Sequence, residues 1–93
     1  MASFTVRVEL HNATWQNYNE LYQHMAAQGF SDIIGGDDGN RYKLPPAEYN
    51  YEGSATIEQV REAAQVAAAR VVRSYAVLVS VATMRAWVGL SRV

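Results

Sequence analysis

The stretch Phe4-Thr5-Val6-Arg7-Val8-Glu9-Leu10-His11 decides the fold. Phe4, Val6, Val8 and Leu10 alternate with Thr5, Arg7, Glu9 and His11, and a period of two marks a β-strand with one face in a core. Its other face gathers a hydroxyl, a guanidinium, a carboxylate and an imidazole within a few residues.

After this strand, Asn12-Ala13-Thr14 offers side-chain oxygens that can cap a helix, and a helix is predicted from about Thr14 to Gln28. Trp15, Tyr18, Leu21, Tyr22 and Met25 recur at three- and four-residue steps as its apolar stripe, with Gln16, Asn17, Asn19 and Gln23 towards water. Gly29 supplies a residue that can turn left-handed and end it. Phe30 to Ile34 reads as a short strand entering the turn-forming run Gly35-Gly36-Asp37-Asp38-Gly39-Asn40, and Arg41-Tyr42-Lys43-Leu44 returns as a hairpin. Pro45-Pro46 confines the following backbone to an edge or a bulge. The alternation of Ala47 to Glu52 then places Tyr49 and Tyr51 on one face, where they read as core.

Thr56-Ile57-Glu58-Gln59 matches a capping box. The helix it starts is expected to run to about Val72, burying Ile57, Val60, Ala64, Ala67 and Val71, with Arg70 and Arg73 complementing its negative end. Tyr75 to Val81 is a continuous apolar run of strand length, expected to be covered on both faces. Met84 to Leu90 is an optional further strand, and Ser91-Arg92-Val93 a frayed end.

This order predicts one α+β domain over residues 1–93, a ferredoxin-like plait (βαββαβ) with an antiparallel sheet and both helices on one face. The first strand then lies inside the sheet, and Thr5, Arg7, Glu9 and His11 project from the helix-free face.

The chain has 93 residues, with 8 Lys+Arg against 9 Asp+Glu and a net charge of −1. No global field attracts nucleic acid or an anionic membrane, so any RNA contact has to be local. The absence of cysteine excludes disulfides and thiolate metal sites. With no leader-like start and no long apolar run, the expectation is a soluble, cytoplasmic protein without a membrane partner.

Glu9 and His11 stand roughly 7 Å apart along a strand. With Arg7 they can supply a general base, a general acid and a cation for a scissile phosphate, the parts needed to cut RNA through its 2′-hydroxyl. The same residues also read as a wet sheet face with Arg7 and Glu9 as ion-pair partners. Arg41, Tyr42 and Lys43 form the one basic-aromatic cluster, a combination suited to single-stranded RNA, or simply an exposed hairpin strand. Asp37 and Asp38 lack the ligand spacing of a calcium loop, and no metal ligands are assigned.

The opening strand, the helix ending in Gly29-Phe30-Ser31, the acidic turn before Arg41-Tyr42-Lys43-Leu44, the strand Glu48-Tyr49-Asn50-Tyr51 and the Thr56-capped helix together resemble the GhoS family. These are small bacterial proteins described as the endoribonuclease antitoxin of a type V toxin–antitoxin pair. The resemblance implies a protein that binds and cleaves messenger RNA encoding a small membrane toxin. The family's fold in turn resembles small CRISPR adaptation nucleases, which implies a homodimer, with the segment from Arg85 to Leu90 a candidate for exchange onto a partner's sheet. It also leaves a divalent metal open as the only cofactor, with Glu9 the nearest counterpart of those nucleases' carboxylate. Two alternatives stay beside this reading. One is a non-catalytic homodimeric interaction domain burying Trp87 and Val88 against a partner. The other is a plait enzyme acting on a small molecule, which needs an apolar pocket with convergent polar groups.

Overall fold

The structure, a computed structural model, describes residues 2–93. The elements run β1 (Ala2–Leu10), α1 (Trp15–Ala27), β2 (Ile33–Gly35), β3 (Arg41–Lys43), β4 (Glu48–Gly53), α2 (Ile57–Ala69) and β5 (Tyr75–Val81). β1 is the central strand of an antiparallel sheet ordered β4-β1-β5, with Arg7 opposite Glu48 on one side and Leu78 on the other. β2 and β3 form a separate hairpin, joined to the main sheet by the bridge from Ser31 to Asn50. The architecture is α+β and compatible with the ferredoxin-like plait.

The alternation in β1 sorts its side chains as the sequence requires. Phe4, Val6, Val8 and Leu10 are buried with Leu21 and Met25 of α1 and Val60, Ala64, Ala67 and Ala68 of α2. Both helices therefore cover the same face. Val6 and Val8 are fully enclosed, and each such side chain contributes about 1.5–3 kcal/mol over its exposed state. Tyr49 and Tyr51 join this core through rings tilted against Phe4, Tyr22 and Phe30. The alanines of α2 bring its backbone close to the sheet.

Thr14 and Thr56 cap the two helices, each with a reciprocal bond from the third helical residue, Asn17 and Gln59. α1 begins before it reaches the core, and its first residue, Trp15, stays 76% exposed instead of joining the apolar stripe. Ile57 is likewise outside the core, at the first turn of α2. α2 ends at Ala69 with Arg70 as its cap, so no basic side chain lies in its last turn.

Three expectations about the C-terminal part are corrected. β5 is covered on one face only: Tyr75, Val77 and Val79 pack on the core while Ala76, Leu78 and Ser80 are exposed, because both helices lie on the same side of the sheet. Residues 84–90 form no strand. They cross the helix-free face as irregular chain, held by the Arg85 guanidinium, which donates to the Thr5 hydroxyl at 2.9 Å, the Phe4 carbonyl at 3.0 Å and Asn50 Oδ1 at 2.7 Å. Gly89, at φ 82°, then lets the chain reverse. The last residues are paired instead of frayed: Lys43 N–H donates to the Ser91 carbonyl at 2.9 Å and Val93 N–H to the Arg41 carbonyl at 2.8 Å.

Candidate active site

β1 carries the site because alternation turns Thr5, Arg7 and Glu9 outward while Val6 and Val8 fix the strand from below. His11 follows the last paired residue, and its amide donates to the Ser74 carbonyl at 3.0 Å. That bond brings the residue before β5 beside the imidazole. His11 Nδ1 lies 2.7 Å from Ser74 Oγ, and His11 Nε2 lies 3.1 Å from Glu9 Oε1. An ionised carboxylate only accepts hydrogen bonds, so Glu9 assigns the proton to Nε2, and the Nδ1 lone pair accepts from the Ser74 hydroxyl. Both ring nitrogens are thus occupied, Nε2 by the carboxylate and Nδ1 by a hydroxyl that another hydroxyl can replace, on a side chain that is 41% exposed.

Arg7 does not pair with Glu9. Its Nη1 lies 3.7 Å from Glu48 Oε2 on the neighbouring strand, and its side chain is 61% exposed. An ion pair this long and open holds a guanidinium loosely, by at most about 1 kcal/mol. Arg7 and Glu9 line a shallow depression of about 190 Å³ with Ala76, Val77 and Leu78. Among the described residues no group of three or more His, Cys, Asp or Glu side chains is positioned to hold a metal ion.

The hairpin cluster divides. Arg41 and Lys43 point one way along β3 and Tyr42 the other. Tyr42 packs on Trp87, with ring centroids 5.5 Å apart, and its hydroxyl donates to Asp38 Oδ2. This bond holds the Asp38 carboxyl below its usual range and, reciprocally, raises the Tyr42 phenol. Lys43 Nζ sits 5.8 Å from the centroid of the Tyr22 ring, towards α1. Among the described residues no hydrogen bond or ion pair joins Arg41, Tyr42 or Lys43 to Arg7, Glu9 or His11.

Two deeper hollows lie between these groups. One, of about 480 Å³, has Thr5, Glu48, Arg85 and Trp87 in its lining; the other, of about 590 Å³, has Trp15, Tyr22, Asp32 and Lys43. They share Leu44, Pro45 and Leu90 as a common wall.

Against known proteins, the family model described as endoribonuclease GhoS matches residues 1–89. The chain belongs to the GhoS family. No curated protein matches it. In this GhoS-family chain the candidate residues Arg7, Glu9 and His11 share one open face, and Ser74 is the participant that sequence reasoning missed. Its contact with His11 spans 63 residues and depends on the register of β5, which no local pattern specifies. Among the described residues no helix is long and apolar enough to cross a membrane.

Proposed function

We propose that this GhoS-family protein is an endoribonuclease of the toxin–antitoxin kind, cutting single-stranded messenger RNA for a small membrane toxin in the cytoplasm. The observation that carries the reading is the Glu9–His11–Ser74 chain of contacts on an open strand face, with a loosely held arginine one residue pair away. A ribose 2′-hydroxyl takes the place of the Ser74 hydroxyl at His11 Nδ1 and passes its proton to the ring. The 2′-oxygen attacks the adjacent phosphorus, the bond to the 5′-oxygen breaks, and the departing oxygen takes a proton from solvent. Glu9 holds the resulting imidazolium, and Arg7 turns from Glu48 to the non-bridging phosphate oxygens. The products are a 2′,3′-cyclic phosphate and a 5′-hydroxyl.

The reading includes a homodimer. The outer edge of β5 carries unpaired backbone groups beside exposed Leu78 and Val81, a surface that a second copy can match by two-fold antiparallel pairing. Sedimentation analysis over a range of concentrations tests it.

The test of cleavage is incubation with unstructured RNA, with and without chelator, for wild type, Glu9→Gln and His11→Ala. Cutting by wild type alone, leaving cyclic phosphate ends, is the expected result. Equal cutting by all three proteins removes these residues from the chemistry, and loss of cutting on chelation replaces the metal-free route.

A further inference from the structure

Trp15 is the first residue of α1, 76% exposed, and it is not among the side chains packed against the core. An aromatic of this size left in water serves neither packing nor capping, the cap being Thr14. It lines the hollow of about 590 Å³ together with the Tyr22 ring, Asp32, Lys43 and Pro45. Among the described residues the Asp32 carboxylate and the Lys43 ammonium make no ion pair, with each other or with anything else. Tyr49, 1% exposed, packs its ring on Tyr22 with centroids 5.5 Å apart, and its hydroxyl has no hydrogen-bond partner among the described residues. Burial first, and then the neighbouring Tyr22 and Asp32, push its phenol above its usual range. A flat ring, a cation and a free acceptor converge on one concave surface.

We infer that this hollow is a nucleobase subsite for single-stranded RNA, in which a base stacks on Trp15, presents an N–H to Asp32 and sets its phosphate beside Lys43. The inference rests on the RNA reading of the β1 face and adds a place for the strand beyond the scissile bond. The hollow adjoins a second one that reaches towards β1. The wall of Leu44, Pro45 and Leu90 is shared with the hollow that contains Thr5 and Glu48, and Glu48 is the ion-pair partner of Arg7. A strand with its phosphate at Arg7 therefore runs over this wall to reach Trp15. Stacking tolerates any base, so the subsite contributes affinity more than sequence choice. A chain with a net charge of −1 has particular use for binding that does not depend on global attraction.

The experiment uses a short fluorescein-labelled 2′-O-methyl RNA strand, which lacks the 2′-hydroxyl needed for cutting, and reads affinity by anisotropy for wild type, Trp15→Ala, Trp15→Phe and Lys43→Gln. Cleavage of unmodified RNA by wild type is measured in parallel. Expected are roughly tenfold weaker binding for Trp15→Ala with an unchanged melting temperature, and retention of most affinity by Trp15→Phe. Lys43→Gln should lower the slope of log affinity against log salt by about 0.7. Wild-type affinity in Trp15→Ala overturns the subsite, and so does failure of wild type to bind the modified strand while it cuts the unmodified one. In both cases the cleavage reading stands. Neither binding nor cutting by wild type overturns both.

Discussion

Arg85 Nε donates to the Thr5 hydroxyl at 2.9 Å, joining residues 80 positions apart and fastening the C-terminal segment over the sheet. The same guanidinium reaches Phe4 and Asn50, so it ties β1 and β4 as well. Replacing Arg85 by Ala removes all three bonds and should cost about 1–3 kcal/mol of stability in chemical denaturation. The loss should appear locally too, as faster proteolytic cutting within residues 84–90. Unchanged proteolysis would show that the segment is held by something other than this side chain.

His11→Ala removes the proposed base and should lower RNA cleavage by roughly a hundredfold or more. Ser74→Ala should lower it only a few-fold, because the substrate hydroxyl displaces Ser74. Single-turnover rates separate the two variants. If Ser74→Ala is as damaging as His11→Ala, Ser74 takes part directly in the reaction and the displacement step is wrong.

The Asp38 carboxyl is held low by the Tyr42 hydroxyl and then by Asn40, which favours its ionised form in the folded protein. Its contribution to stability is complete above the carboxyl's unfolded value and is lost as pH falls through the lower folded value. For Tyr42 the sign reverses: its raised phenol adds stability that is lost as pH rises through the folded value. Tyr42→Phe should return the Asp38 titration, followed by carboxyl-carbon NMR, towards the usual range. A titration left unmoved would mean that Tyr42 is not what lowers it.

Ala47 adopts φ 68° directly after Pro45-Pro46, and its carbonyl accepts from Val8 N–H at 3.0 Å. The left-handed region costs an alanine about 1 kcal/mol that glycine does not incur. Ala47→Gly should therefore raise the unfolding midpoint. A lower midpoint would place the flexibility of glycine in the unfolded chain above the strain relieved.

The reading of β1 from sequence holds because a period of two needs no tertiary information to show which side chains share a face. The Thr56-Gln59 box was legible for the same local reason. Its counterpart at Thr14 was less so, since Asn17 stands where Glu or Gln usually signals the motif. Periodicity misplaced Trp15 and Ile57 because it continues to the end of a helix, whereas the sheet beneath does not. The apolar run of β5 looked doubly covered because Leu78 and Val81 gave no sign that both helices would lie opposite. Ser74, Arg85 and the pairing of Ser91 and Val93 with β3 are encoded only in long-range register. The hollow beside Trp15 belongs with them, for it exists only once α1, the prolines and Leu90 have met.

β1 is bonded along both sides, to β4 and β5, and its inward row is the centre of the core. Its amide hydrogens should accordingly be among the last to exchange with heavy water, opening only when the whole molecule does. On warming, RNA cutting should then vanish together with the cooperative melt and not some degrees earlier, since Arg7 and Glu9 ride on the part of the molecule that gives way last.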